Sequence, residues 1–277
     1  MYWDTNPDWK LCKFGRQQSP INIEPRRLLY DPNLKHLKIE ATTVNGLLRN
    51  TGHDILIDVY KEETRYINIS LGPLSYSYRV AEVRFHLANN DSVGSEHRVG
   101  GRSFPAEMHI IAYNTELYRN LSEAAKGVKG LAIIAVFLEV GKEMDKAFFF
   151  IFKDLQSLRN RGDNAQLHDI SLTHLIPKTD EYVTYEGSLT QPGCFETVTW
   201  ILMNKPLRIG KDQLKALRVL FRSRENESNM ALEINSRPLM PLNHRVVRTN
   251  INTPSKTRLC KMDRDMYYEV NERYFRT

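Results

Sequence analysis

Residues 82–86 read Glu82-Val83-Arg84-Phe85-His86. Polar residues at 82, 84 and 86 alternate with apolar ones at 83 and 85, the period of a strand with one buried face. Glu82, Arg84 and His86 therefore share one side of a sheet. Glu107-Met108-His109 repeats the pattern and opens a second strand, with Glu107 and His109 on a common face. Outward from these two stretches, strand-like alternation occupies 54–60, 65–70, 75–87, 107–113, 131–140 and 195–203. Three segments have helical spacing. Residues 115–126 end near Gly127. Residues 145–160 bury Phe148, Phe149, Ile151, Phe152 and Leu155 and stop before Gly162. Residues 211–222 follow Gly210 and gather Leu214, Leu217, Val219 and Leu220 on one side. The expectation is a mainly β chain with short helices (α+β), built on one large twisted, mostly antiparallel central sheet. Residues 1–252 form the domain. Residues 253–277 read as a polar C-terminal tail, lying over the domain or partly disordered. Arg161-Gly162-Asp163 matches an integrin-binding tripeptide but reads as a glycine ending a helix between charges.

The 277 residues are 41% hydrophobic and 26% charged, ordinary for a globular protein. No apolar run is long enough to span a bilayer. The net charge of +6 is spread along the chain; it permits weak attraction to acidic glycans or membranes and gives no argument for nucleic acid. Met1-Tyr2-Trp3-Asp4 lacks the basic and apolar segments of a signal peptide, so a trimmed leader or a longer precursor is expected. The cysteines are Cys12, Cys194 and Cys260. Sequons at Asn68, Asn90, Asn120 and Asn226 favour secretion. Asn68 falls within a predicted strand, whereas Asn226 sits in the most polar setting.

Several further motifs occur in register: Gln18-Ser19-Pro20-Ile21-Asn22-Ile23, Gly94-Ser95-Glu96-His97, Ala106-Glu107-Met108-His109 and Gly187-Ser188-Leu189-Thr190-Gln191-Pro192. Their order and spacing resemble the α-carbonic anhydrases from about residue 13 to about residue 248, and imply that family's single-domain fold. Pro192-Gly193-Cys194-Phe195-Glu196-Thr197, Met203-Asn204-Lys205-Pro206 and 242–252 resemble, within the family, the acatalytic carbonic anhydrase-related proteins of types X and XI.

The resemblance implies a site. The family's three zinc histidines fall on Arg84, His86 and His109. A guanidinium cannot ligate a metal, and a catalytic zinc needs three protein ligands and an open position. An arginine about 4 Å away would repel Zn²⁺ by roughly 8 kcal/mol at an effective dielectric of 20. Good structural zinc sites are worth about 10–16 kcal/mol. Zinc is therefore expected to be absent or weak. Glu82 is expected to pair with Arg84, and Glu107 to support His109 from behind the metal position. Thr190 and Glu96 match the pair that orients the zinc hydroxide and are expected to persist as a hydrogen-bond network. His53 matches the proton-shuttle histidine and would be a relic. Ile111, Ile133, Leu189, Val198 and Trp200 match the wall that holds carbon dioxide. The resemblance also pairs Cys12 with Cys194, a cross-link worth up to about 5 kcal/mol that calls for an oxidising compartment. Cys260 is left over and offers a disulfide to a second copy.

The function implied is that of a secreted, inactive carbonic anhydrase-related protein that binds a cell-surface or synaptic receptor, with neurexin-type receptors as the precedent. Two alternatives stay open. One is a zinc-dependent carbonic anhydrase with a degenerate site, holding metal through His86, His109 and another donor. The other is a cytosolic binding module resembling the type VIII related proteins.

Overall fold

The computed structural model describes residues 9–252 apart from 41, 63, 142–147, 149–150, 153–154 and 219–234. Each segment expected to be a strand holds one: β5 (Ile55–Val59), β6 (Asn68–Leu71), β7 (Tyr78–Leu87), β9 (Ala106–Asn114), β10 (Leu131–Gly141) and β13 (Val198–Met203). Around them lie β1 (Asn22–Ile23), β2 (Leu29–Tyr30), β3 (Leu37–Ile39), β4 (Thr43–Asn50) and β8 (Arg98–Val99). Further along come β11 (Asn164–Ser171), β12 (Tyr182–Gly187), β14 (Leu207–Gly210) and β15 (Arg248–Thr249).

The main sheet runs β11-β4-β5-β7-β9-β10-β13-β12-β15-β2. It is mostly antiparallel; β10 with β13, β10 with β14, and β15 with β2 are the parallel pairings within it. β1 and β8 form a separate two-stranded parallel sheet.

Each strand near the centre divides its side chains between two cores. Val83, Phe85, Met108, Ile110, Ile134, Val136 and Ile201 enter one cluster, with Phe148, Ile151, Phe152 and Leu155 from the segment after β10. Ile111, Ile133, Ala135, Trp200 and Tyr185 enter the other, with Ile21, Ile23, Val99 and Ile251. The polar residues of β7 and β9 lie on the second face, and in β7 a β-bulge puts them there. Val80 pairs with Ala112, Glu82 with Ile111, and Ala81 is the extra residue. The bulge reverses the side-chain parity of the strand. Tyr78 and Val80 point into the first core before it, and Val83, Phe85 and Leu87 do so after it. Glu82, Arg84 and His86 are thereby turned toward the opposite face.

The helices are shorter than their periodicity suggested. Within 115–126 only α2 (Leu121–Ala124) is helical. Asn114 Oδ1 accepts the backbone N–H groups of Glu116 and Leu117, which holds a turn there instead. Within 145–160, Phe148, Ile151 and Phe152 are helical and Leu155–Leu158 is a 3-10 turn; Phe149 lies outside the described residues. The helix expected over 211–222 is α3 (Lys211–Arg218), with Leu214 and Leu217 buried; Val219 and Leu220 lie outside the described residues. Gly162, in the Arg-Gly-Asp tripeptide, has φ of 98°, a left-handed turn that favours glycine. Cys12, on α1 (Lys10–Phe14), is disulfide-bonded to Cys194 across 182 residues of sequence. No helix among the described residues is long and apolar enough to cross a membrane.

Candidate functional site

β5, β7 and β9 lie side by side, and their register assembles the site. Leu56 is opposite Arg84 and Asp58 opposite Glu82. On the other flank Arg84 is opposite His109 and His86 opposite Glu107. Directly opposed residues share a sheet face. The polar residues of three strands therefore converge on one floor, walled by Ile111, Ile133, Leu189, Val198 and Trp200, which belong to one core cluster.

Arg84 is clamped from two sides. Its Nε donates to Glu82 Oε2 at 2.9 Å and its Nη1 to Asp54 Oδ2 at 2.6 Å. Its Nη2 lies 2.8 Å from Glu82 Oε2. The side chains of Arg84, Asp54 and Glu82 are 18%, 11% and 17% exposed, so all three charges are largely withdrawn from water. Burial alone pushes the Asp54 carboxyl up; the charge of Arg84 and hydrogen bonds from Thr51 and Arg84 outweigh it and hold Asp54 below the usual range. Burial likewise disfavours the Arg84 cation, and Asp54 and Glu82 overcome that penalty. The expected pairing with Glu82 is present, and Asp54 is a second partner the sequence reading overlooked. It also changes the electrostatics. One guanidinium between two carboxylates carries a net −1, so repulsion of a cation by Arg84 no longer follows. What remains is the shortage of imidazole donors.

The histidines are held differently from one another. His109 Nε2 lies 2.8 Å from Glu107 Oε1. Glu107 also accepts the His97 backbone N–H at 2.8 Å and contacts His97 Nδ1 at 2.7 Å. Burial raises the Glu107 carboxyl, but the His97 charge and the hydrogen bonds from both imidazoles bring it well below its ordinary value. His109 is pushed down, first by burial and then by the neighbouring His86. From His97 the chain continues, Nε2 to Tyr185 Oη at 2.6 Å and Tyr185 Oη to Ser19 Oγ at 2.9 Å. His86 packs against His109 with ring centroids 4.4 Å apart. Its Nδ1 lies 3.3 Å from the Asn235 carbonyl oxygen. Among the described residues, His86 Nε2 and Glu96 Oε2 are buried without a hydrogen-bond partner; Glu96 Oε2 lies 3.8 Å from His109 Nδ1.

Thr190 and Glu96 are both buried, yet no hydrogen bond joins them among the described residues. Glu96 Oε1 instead accepts the Arg237 backbone N–H at 3.0 Å. Glu96 thus takes its hydrogen bond from the 235–237 segment, through one carboxylate oxygen. Asn235 also bonds the backbone of Phe85 and Leu87, which seats that segment on the end of β7. His53 is exposed in the turn between β4 and β5. Asn90 and Asn120 are exposed, and Asn68 is half-buried at the start of β6. Asn226 and Cys260 lie outside the described residues, as does the 253–277 tail.

Two groups of side chains have metal-ligating potential among the described residues: His86, Glu96 and His109, and His97, Glu107 and His109. The second is committed to its own hydrogen bonds. The first contains both of the atoms that lack a hydrogen bond. Asp54, His97, Asn235 and Arg237 were the site residues missed from sequence. Asp54 left a signal: a largely buried arginine needs counter-charges, and residue 54 has the parity of Leu56 and Asp58. His97 stood inside a quoted motif without a role. Asn235 and Arg237 left none, since they arrive from far along the chain.

A two-core sheet whose polar floor carries imidazoles backed by buried carboxylates defines a carbonic anhydrase-type domain. A family profile described as eukaryotic-type carbonic anhydrase matches residues 1–251, and the chain belongs to that family. It is also 39% identical over 254 residues to the "Putative carbonic anhydrase-like protein 2" of Caenorhabditis elegans, covering 90% of this chain and 75% of that one.

Proposed function

We propose that this chain is a catalytically inactive carbonic anhydrase-related protein that is secreted and works by binding another protein at the cell surface. One observation carries the loss of activity. Arg84, at the position where the resemblance expects the first zinc histidine, is locked to Asp54 and Glu82. The residues do not fit the family's three-imidazole zinc site: His86 and His109 supply two donors, and the third position holds a cation already bound to two carboxylates. No hydration chemistry is therefore assigned to this floor. The Cys12–Cys194 disulfide supports an oxidising, extracellular setting. A neuronal receptor of neurexin type is the partner implied by the resemblance to types X and XI, and Cys260 is a candidate for an intermolecular disulfide.

One observation favours a second reading, a degenerate but metal-binding carbonic anhydrase. Among the described residues His86 Nε2 and Glu96 Oε2 are both buried without a hydrogen bond, and His86, Glu96 and His109 bring ligand atoms within 4.8 Å of one another. A buried unsatisfied group is costly unless something fills the gap. The deciding measurement is zinc stoichiometry by elemental mass spectrometry on protein from a secreting host, without chelator, alongside stopped-flow carbon dioxide hydration. Less than a tenth of an equivalent of zinc and no hydration above background supports the inactive reading. Near one equivalent with measurable hydration overturns it.

A further inference from the structure

We infer that the surface formed by β1, β8 and the turn after β1 is a binding site for a linear sulfated glycan. This goes beyond the protein-binding proposal; only its biological setting rests on the extracellular reading.

The observation is a local concentration of arginine. Arg26 and Arg27 belong to a 3-10 turn (Pro25–Arg27) that directly follows β1. Arg98 opens β8 and is the register partner of Asn22 on β1. Arg102 is joined to Val99 through reciprocal backbone hydrogen bonds around Gly100 and Gly101. The Ile23 carbonyl accepts the Gly100 N–H at 2.8 Å, which ties the β1 turn to the glycine turn. Arg26 lies three residues beyond Ile23, so its Cα is within about 11 Å of that junction. Within residues 22–27 and 98–102 there are four arginines against one acid, Glu24: a net +3 out of +6 for the whole chain. Glu24 is itself occupied by the side-chain amide of Asn22. Among the described residues, none of Arg26, Arg27 and Arg98 is ion-paired with an acid, and Arg26, Arg27 and Arg102 are exposed.

The chemistry of the surface selects the ligand. Guanidinium forks match the paired oxygens of sulfate, and several on adjoining segments suit a repeating polyanion. Ile23 and Val99, the apolar residues between the arginines, are 2% and 7% exposed; the nearest exposed apolar side chains, Leu29 and Tyr30, lie beyond Arg27, outside the arginine cluster. None of residues 22–27 or 98–102 is aromatic, so the arginine cluster itself carries no platform for stacking the bases of a nucleic acid. A Cβ added at Gly101 would meet nothing within 4 Å, which leaves the rim open to an extended chain.

The test is surface plasmon resonance of the full chain on immobilised heparin, with salt titration. The triple variant Arg26→Ser/Arg27→Ser/Arg98→Ser is compared with Lys205→Ser/Lys211→Ser/Lys215→Ser, which removes the same charge from an exposed region elsewhere. Thermal melting confirms that both fold. The arginine variant should bind at least about tenfold more weakly, and its log affinity against log salt should flatten by about two to three, because each of the three lost contacts releases roughly one counter-ion fewer. The lysine variant should bind like wild type. Equal weakening of both variants would reduce the effect to bulk charge and overturn the assignment. Failure of wild type to bind heparin would overturn it too. So would an arginine-dependent affinity for phosphatidylserine vesicles with heparin binding unchanged, since that assigns the surface to a membrane.

Discussion

Removing the Arg84 side-chain charge is the sharpest perturbation of this molecule. Arg84→Met keeps most of the stem and deletes the guanidinium. It leaves Asp54 and Glu82, 11% and 17% exposed, facing each other without their counter-ion. Breaking a buried ion pair by removing one partner costs about 3–5 kcal/mol, because the remaining charge stays desolvated. For a domain of this size the melting temperature should fall by roughly 6–20 °C. The same geometry predicts an asymmetry. Asp54→Asn leaves Arg84 paired with Glu82 and should cost only about 1–2 kcal/mol. Adding it to Arg84→Met should recover part of the loss. The pH dependence separates this mechanism from a packing defect. In the wild type the Asp54 pKa is depressed from 3.8, so its contribution is complete above that value and is lost as pH falls below it. Without Arg84 the burial effect, which raises the pKa, dominates. The variant carboxylate is then destabilising at neutral pH, and the penalty shrinks as the pH drops toward its raised pKa. Urea unfolding under non-reducing conditions at pH 7 and pH 5 should show the gap between wild type and variant narrowing. A loss under about 1 kcal/mol at pH 7, with no change by pH 5, would mean that Arg84 is not a desolvated counter-ion.

Further outcomes follow from the same contacts. Arg84→His supplies a third imidazole and should raise zinc content from near zero toward one equivalent; unchanged zinc would remove donor shortage as the explanation. Glu107→Gln should flatten the acid limb of stability: the depressed Glu107 pKa contributes above the ordinary value of 4.5 and is lost below it, so Tm against pH from 3 to 6 should lose slope. Replacing Cys12 and Cys194 by serine should remove up to about 5 kcal/mol, read as a lower urea midpoint, because the loop they close is long. Among the sequons on described residues, glycopeptide mass spectrometry should find Asn90 and Asn120 occupied and Asn68 bare, since Asn68 Oδ1 is buried while the other two are exposed.

The strands that build the floor could be read in the sequence because alternation at 82–86 and 107–109 is strict. β4 was not, since Asn45 and Gly46 interrupt its apolar pattern. Its burial nonetheless alternates, and Gly46 is required because a Cβ there would lie 2.7 Å from the Asp58 carbonyl oxygen. β12 escaped for the opposite reason: Tyr182 to Tyr185 are all buried, so no polar face marks the period. The helix expected over 115–126 failed because two asparagines, Asn114 and Asn120, cap the backbone where the helix would have run. For the site, identity was legible and partnership was not. Arg84 and Glu82 sit two residues apart, but Asp54, Asn235 and Arg237 reach the floor only through long-range contacts that no local pattern encodes.

The extra residue at Ala81 has a consequence for what this scaffold tolerates. It makes β7 two half-strands with opposite facing, so Val83, Phe85 and Leu87 hold the hydrophobic interior while positions 82, 84 and 86 answer only to one another and to their neighbours across the floor. Position 84 therefore meets Asp54 and Glu82 on the floor, while Val83 and Phe85 on either side of it hold the interior. The polar floor and the hydrophobic interior are thereby uncoupled along one strand, each face of the sheet keeping its own set of contacts.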